Sequence, residues 1–312
     1  MRVVVARRQP LIQCKGWIRS LEVVTVAKST WLSHHDYRPP STDRWRADEP
    51  ITDEPITDKL ATGPRWLCYD ASVPASEPAI ETIGLGRRYG RRWALVDVGI
   101  VIQRGSAVMV AGRNGSGKST LLRILSTAIR PDHGTVRVEG FDSRSHRYEI
   151  RNRVALLSHY SYLYESLSAF ENLQVVARLL HLPSRRQDLV PFLARVHLEK
   201  RADDAVMTFS AGMRKRLSIA RVLLQEAPVV LLDEPYGQLD PAGFVFVDRM
   251  VEELVKGGAT VLMATHQVDR AVSLCGEGVM LDGGRVIGRG SSEEIARGSR
   301  AAVEREEPRA WS

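Results

Sequence analysis

One glycine-rich octapeptide limits the possible folds of this chain more than any other feature. Residues 112–119 read Gly-Arg-Asn-Gly-Ser-Gly-Lys-Ser, follow the apolar run 107–111, and precede a segment with Leu122 and Leu125 at helical spacing. Glycines let a backbone wrap round phosphate groups without Cβ clashes, and the N–H groups of the loop and of the following helix then point at the anion. The pattern and its context predict a Walker A phosphate loop between a strand and a helix.

Each residue type in this loop has a predicted contact with ATP or Mg²⁺. The Lys118 ammonium is expected to reach the β- and γ-phosphates, and the Ser119 hydroxyl is expected to ligand Mg²⁺. The residues predicted to contact the nucleotide are Gly112, Asn114, Gly115, Ser116, Gly117, Lys118, Ser119 and Thr120.

Two carboxylates and a histidine extend this site. Asp233 and Glu234 follow the apolar run 229–232, and His266 follows the run 260–265. Asp233 is predicted to hold Mg²⁺ through water, and Glu234 is expected to polarise the attacking water. His266 is expected to face the γ-phosphate, since ligands bind at the carboxyl ends of strands in such sheets. The predicted catalytic residues are therefore Lys118, Glu234 and His266.

Apolar runs that alternate with helical patterns predict an α/β fold. Strands are expected at 80–84, 107–111, 135–139, 229–232 and 260–264, with a hairpin around residues 282–284. A helix is expected over 119–129, and a capping-box pattern at 168–171 opens another. The helical stretch from about 160 to 225 predicts an inserted subdomain. The expected core is a mostly parallel sheet with antiparallel strands on its N-terminal side.

The first 79 residues differ from the rest. Their hydrophobic periodicity is poor, and a Glu-Pro-Ile-Thr-Asp unit occurs twice over 49–58, which predicts a poorly ordered extension. Four of the six tryptophans lie there, so a docking arm is one interpretation; an extension without a role, or a misassigned start, is the other. The ATP-binding domain is expected over 80–296, followed by a polar tail over 297–312.

Composition limits the cysteine chemistry, the membrane topology and the partners expected of this chain. The three scattered cysteines, Cys14, Cys68 and Cys275, predict reduced thiols without a metal. No apolar run approaches the roughly 18–20 residues that span a bilayer. A net charge of +7 suggests affinity for anionic partners without selecting one.

Residues 209–213, Phe-Ser-Ala-Gly-Met, begin a helical pattern ahead of Asp233. Here the sequence resembles the ABC ATPase family over roughly residues 80–290. Ser210 and Gly212 match the usual Leu-Ser-Gly-Gly-Gln signature, whereas the other three positions depart from it. The resemblance implies two nucleotide-binding domains facing head to tail, as a homodimer. Ser210 of one domain would then contact the γ-phosphate held by the other.

The resemblance also implies roles for single residues. Tyr89 stands where the family stacks an aromatic ring on adenine, Asp240 is the D-loop aspartate, and His266 is the switch histidine. His159 replaces a glutamine that senses Mg²⁺ and couples the site to the membrane domain. Its imidazole can donate or accept a hydrogen bond, which allows a water-mediated metal contact; the alternative is that it packs or faces solvent.

Residues 157–173 and 233–240 resemble the CcmA group, the ATP-binding subunits of the heme exporter used in cytochrome c maturation. Drug, polysaccharide and lipid exporters share much of this pattern. The resemblance implies an integral membrane permease partner and a position at the cytoplasmic face of the membrane. A soluble ABC protein acting on ribosomes or DNA is less favoured, since the chain has one cassette and no long heptad run, and nucleic acid is not expected as a partner. Intact Lys118, Asp233, Glu234 and His266 argue against a module that hydrolyses poorly.

Overall fold

The computed structural model describes residues 77–304. The predicted extension lies outside the described residues except for residues 77–79, and so do the repeat, Cys14 and Cys68. Cys275 is a buried free thiol.

A four-stranded antiparallel sheet occupies the N-terminal side. Its strands have the order β2-β1-β4-β5. Leu95, Val98, Ile100 and Ile102 are buried along β2, in register with β1. The strands are β1 (Ile80–Tyr89), β2 (Arg92–Ile102), β4 (His133–Val138) and β5 (Phe141–Asp142).

A six-stranded sheet carries the centre of the fold, in the order β10-β9-β3-β8-β7-β6. All neighbours pair in parallel except β9 and β10, which form the predicted hairpin. Strands β3, β7 and β8 are buried at every position, as parallel strands covered on both faces are. The strands are β3 (Ala107–Ala111), β6 (Val154–Leu157), β7 (Val229–Asp233), β8 (Thr260–Ala264), β9 (Glu277–Asp282) and β10 (Arg285–Ser291).

Eight α-helices lie within residues 77–304. None of them is both long enough and apolar enough to span a bilayer. Ser168 and Glu171 form the predicted capping box, in which the Ser168 Oγ accepts from the Glu171 N–H at 3.2 Å. The helices are α1 (Lys118–Leu125), α2 (Arg147–Arg153), α3 (Ala169–Leu179), α4 (Arg186–Arg195), α5 (Ala211–Gln225), α6 (Pro241–Lys256), α7 (Val268–Leu274) and α8 (Ser292–Glu304).

Three predicted helical boundaries differ from the structure. Helix α1 ends at Leu125 rather than 129, because Thr127 has a left-handed φ of 58° that a helix cannot continue through. The stretch 160–168 is irregular, and the Asn172 side chain holds it by bonding both the N–H and the carbonyl of Tyr164. The predicted polar tail is helical as far as Glu304, where α8 ends.

Two apolar clusters form the core. One packs β1, β2 and α1 against one face of the large sheet, around Leu95, Leu121 and Leu262. The other joins the opposite face to α3, α4 and α5, around Leu173 and Leu217. Strands β3, β7 and β8 run parallel, so their carboxyl ends lie at the same edge of the large sheet, next to the residues singled out by the sequence.

Candidate active site

The loop of residues 112–119 connects β3 to α1 and is held in shape by its own lysine. The Lys118 Nζ donates to the carbonyl of Gly112 at 2.7 Å and to that of Arg113 at 2.9 Å. Burial lowers the pKa of Lys118, while the nearby charges of Glu234 and Asp233 oppose that shift. The ammonium therefore lies inside the loop, in the electrostatic field of the two carboxylates.

At two loop glycines, neighbouring backbone atoms leave no room for a side chain. A Cβ on Gly112, where φ is 146°, would lie 2.2 Å from the Leu281 carbonyl oxygen. A Cβ on Gly117, where φ is 108°, would lie 2.5 Å from the Ala94 carbonyl oxygen. Gly115 differs, since no atom lies within 4 Å of the position its Cβ would take. The base of the loop is thus wedged between β2 and β9, and its tip faces open space.

The β9–β10 hairpin turn supports this loop, a contact that the sequence did not predict. The Gly284 N–H donates to the Ser116 carbonyl at 3.1 Å, and the Gly284 carbonyl accepts from the Val96 N–H at 2.8 Å. A Cβ on Gly284 would lie 2.8 Å from the Ala94 oxygen. The Gly-Gly pair signals a turn in the sequence, but nothing local shows that the turn touches the phosphate loop.

Ser119 and Asp233 meet between α1 and β7. The Ser119 Oγ donates to the Asp233 Oδ1 at 2.9 Å, and Asp233 is buried. These are oxygen ligands, which Mg²⁺ prefers, and Mg²⁺ commonly takes only one or two protein ligands beside phosphates and waters. Among residues 77–304, no group of three or more His, Cys, Asp or Glu side chains could hold a metal by itself. The pair fits a Mg²⁺ that arrives with a phosphate group.

Glu234 and His266 are brought together where β7 and β8 end. The Glu234 N–H donates to the Ala264 carbonyl at 2.8 Å, and its φ of 49° turns the chain away from the strand. The Glu234 Oε2 lies 2.7 Å from the His266 Nδ1 and accepts from the His266 N–H at 3.3 Å. The imidazole remains largely exposed, with 61% of the side chain accessible, and its Nε2 lies 3.4 Å from the Gln267 Nε2.

Lys215 reaches the same place from α5, and sequence reasoning did not single it out. Its Nζ donates to the Glu234 carbonyl at 2.8 Å, and the residue is buried. Burial lowers the pKa of Lys215 to about 8, against the opposing charges of Asp233 and Glu234. A lysine in a helix normally predicts a solvent-facing position, so the sequence carries no signal of this contact.

Ser210, Gly212 and Asp240 lie on a separate surface. The Ser210 Oγ caps α5 by accepting from the Met213 N–H at 3.2 Å. Asp240 caps α6 by accepting from the Gly243 N–H at 2.9 Å, and Arg216 lies 3.3 Å from the same oxygen. These residues line a cavity of about 500 Å³ to which no residue of the phosphate loop contributes.

Tyr89 and His159 are both exposed. Tyr89 ends β1 and is 45% exposed, and the Arg87 guanidinium lies 4.9 Å from its ring centroid. His159 stacks edge-to-face with Tyr160 at 5.4 Å and lines a cavity of about 230 Å³ with Lys215 and Ser158. No hydrogen bond among the described residues joins His159 to Ser119 or Asp233.

Known proteins of similar sequence identify the family of this chain. A family model described as ABC transporter matches residues 95–237. The daunorubicin resistance ATP-binding protein DrrA3 of Streptomyces coeruleorubidus is 39% identical over 222 residues, which cover 70% of each chain. The chain belongs to the ABC transporter ATP-binding family. The Nod factor export ATP-binding protein I of Ralstonia nicotianae is 33% identical over 222 residues, covering 70% of this chain and 69% of its own.

Solved structures agree with this assignment. The ATP-binding subunit of an ABC transporter, 30% identical, superposes with a TM-score of 0.65 over 71% of this chain and 94% of its own. A dimeric bacterial ABC transporter cassette, 25% identical, gives a TM-score of 0.64 over 68% of this chain and 98% of its own. The predicted α/β ABC fold is confirmed, and the family is one of ATP-hydrolysing enzymes. The narrower resemblance to the CcmA group finds no support in the relatives named here, which serve drug resistance and Nod factor export.

Proposed function

We propose that this chain is the ATP-hydrolysing subunit of a membrane exporter and that its catalytic site is the edge where β3, β7 and β8 end. One observation carries the proposal. The Ser119–Asp233 hydrogen bond and the Glu234–His266 contact bring the phosphate loop, the two carboxylates and the switch histidine together in one site. Such an arrangement combines a phosphate cradle with a positioned base, which phosphoryl transfer to water requires.

The geometry supports the following proposed roles. Lys118 would exchange its bonds to the loop carbonyls for bonds to the β- and γ-phosphate oxygens. Ser119 and Asp233 would hold Mg²⁺, which supplies charge neutralisation on the phosphates. Glu234 would orient the attacking water through its carboxylate, and His266, held by Glu234 at Nδ1, would direct Nε2 towards the γ-phosphate. Asn114, Gly115 and Thr120 complete the proposed nucleotide contacts.

The second surface supports a head-to-tail homodimer. Ser210, Gly212 and Asp240 lie apart from the phosphate loop of their own chain, so their proposed contact is the γ-phosphate held by the partner copy. Proteins similar to this chain include a dimeric cassette. Tyr89 is available for stacking on adenine because its ring is exposed, and we keep His159 as a water-mediated Mg²⁺ contact.

The permease partner and the transported molecule are proposed from the relatives. Because those relatives serve daunorubicin resistance and Nod factor export, we favour the drug or polysaccharide exporter over the heme exporter. We place the chain at the cytoplasmic face of the membrane, bound to an integral permease. Three exposed tyrosines that follow His159, namely Tyr160, Tyr162 and Tyr164, supply an aromatic surface for that contact.

Replacement of the proposed base tests this assignment. Glu234→Gln keeps the shape of the side chain but removes its charge, so ATP hydrolysis should fall by at least about 100-fold while ATP binding persists. Phosphate release and nucleotide retention would be measured on the purified full chain, with light scattering to detect an ATP-dependent dimer. Glu252→Gln, an exposed carboxylate on α6, is the matched control. Wild-type hydrolysis by Glu234→Gln would show that another residue activates the water.

A further inference from the structure

A basic cavity lies beyond the C-terminal end of α1. It has a volume of about 300 Å³, at the small end of ligand sites, and no residue of the phosphate loop lines it. Two segments build it: the turn that follows α1 and the turn that leads into α2. Its lining includes Thr127, Arg130, Asp132, Ser143, Arg144 and Arg147.

Two guanidinium groups beside this cavity are fixed by oxygen atoms of Thr127. The Arg147 Nη2 donates to the Thr127 carbonyl at 2.6 Å, and the Arg151 Nε donates to the Thr127 Oγ1 at 3.0 Å. Burial lowers the pKa of Arg147, and the charges of Arg151 and Arg130 lower it further. Positive charges are therefore held close together at a cost that an anion would relieve.

The one acid in the lining does not balance these charges. The Asp132 Oδ1 accepts from the Arg87 guanidinium at 3.2 Å, and its Oδ2 accepts from the Arg88 N–H. The Asp132 carboxylate is thus paired with two residues of β1. The lining contains three arginines and this single, already paired carboxylate, so it carries excess positive charge.

A buried hydroxyl group gives the second, independent sign of a ligand. Ser143 is 6% exposed and lines the cavity, and its Oγ makes no hydrogen bond within the described residues. Buried polar atoms are normally paired, so this hydroxyl lacks the partner that a bound oxyanion would supply. Guanidinium forks match the geometry of phosphate oxygens, which identifies the class of that anion.

We propose that this cavity is a second, phosphate-binding site, separate from the ATP site, in which Arg130, Arg144 and Arg147 contact the oxyanion and Ser143 donates to it. A small soluble phosphate compound and a lipid phosphate headgroup offer the same chemistry. The site needs neither ATP hydrolysis nor dimerisation, so its test is independent of the proposed function.

Equilibrium dialysis with radiolabelled pyrophosphate tests the site. The full chain would carry Lys118→Ala to weaken the phosphate loop. Saturable binding is expected, weakened at least tenfold by Arg130→Gln and severalfold by Ser143→Ala. Arg249→Gln, an exposed arginine on α6, should leave it unchanged. Arg130 is exposed, so its replacement should leave the melting temperature unaltered, and Arg144→Gln serves as a second variant.

Vesicle flotation separates the two sources of phosphate. Binding to phosphatidylglycerol vesicles but not to phosphatidylcholine vesicles, with loss in Arg130→Gln and retention in Arg249→Gln, would assign the lipid headgroup. Saturable pyrophosphate binding without flotation would assign a soluble phosphate compound. The proposal is overturned if neither probe binds, or if Arg249→Gln weakens binding as much as Arg130→Gln.

Discussion

Two surfaces of this chain use similar residue types in different ways. We call the first the catalytic edge, formed by residues 112–119, 233–234 and 265–266, and the second the signature face, formed by residues 209–213 and 237–240. At the catalytic edge, side chains from separate segments bond one another, as Ser119 does with Asp233. At the signature face, Ser210 and Asp240 bond chiefly the first turns of their own helices.

This difference indicates which tasks one chain can perform alone. The catalytic edge holds a phosphate cradle, metal ligands and a base in contact. The signature face offers two capped helix starts around an open cavity, with no phosphate cradle of its own. Changes at the edge should therefore act on the isolated chain, and changes at the face should act only when two chains meet.

The largest effect on nucleotide binding is expected from Lys118→Ala at the catalytic edge. It removes the buried cation that would neutralise the phosphates, so ATP affinity of the isolated chain should fall about 100-fold, or about 2.7 kcal/mol. Titration with a fluorescent ATP analogue measures this. Lys200→Ala, which removes an exposed lysine, should have no effect. Unchanged affinity in Lys118→Ala would separate the lysine from nucleotide binding.

Alanine substitutions at two loop glycines test how closely the base of the phosphate loop is packed. Gly112→Ala places a Cβ 2.2 Å from the Leu281 oxygen and should destabilise the fold by about 2–4 kcal/mol. Gly115→Ala meets no atom within 4 Å and should cost about 1 kcal/mol from its left-handed backbone alone. Urea unfolding compares the two. Equal losses would contradict the wedged base of the loop.

Ser210→Ala should separate the face from the edge. Loss of the α5 cap should cost about 1 kcal/mol of stability, and ATP affinity of the single chain should stay as in wild type. ATP-dependent pairing, followed by analytical ultracentrifugation, should weaken about tenfold if the hydroxyl contacts the partner's nucleotide, which corresponds to about 1.4 kcal/mol. Ser168→Ala removes the matching cap of α3 and should leave pairing intact. Equal pairing in both variants would contradict the cross-chain contact.

The last prediction concerns Lys215, which links α5 to the catalytic edge. Its pKa of about 8 in the folded chain lies below its ordinary value of 10.5, so the unfolded chain holds this proton more tightly. Stability of the wild type should therefore rise as the pH rises from about 8 towards 10.5. Relative to Lys215→Met, we expect a gain of about 1–2 kcal/mol by pH 10 in urea unfolding. No difference in slope between the two proteins would contradict a buried, charged lysine at pH 7.

Sequence patterns predicted the parts of the fold that depend on local contrast. Strands β3, β7 and β8 are short apolar runs between polar residues, and the loop at 112–119 lies between a strand and a helix. These features can be recognised from neighbouring residues in the sequence alone. Strand β2 was missed, because register shifts in its pairing with β1 break the simple alternation of apolar and polar positions.

The parts of the site that sequence reasoning missed depend on contacts between distant segments. Lys215 is separated from Glu234 by 19 residues, and only the packing of α5 against the large sheet buries its ammonium. Glu234 has a left-handed φ directly after β7. The sequence predicts this strand, but no glycine at position 234 indicates the change of backbone direction. Tertiary packing decided these positions, against the local preference of the residues.

The support that Gly284 gives to the phosphate loop has a consequence for genetics. Gly284 lies far along the chain from Ser116, yet its N–H bonds the Ser116 carbonyl and its Cα is pressed against β2. In a screen for loss of transport, alleles at this hairpin would map to an apparently unrelated region. Their biochemical phenotype would nevertheless group them with alleles of the loop at 112–119, and second-site suppressors of one group would be found in the other.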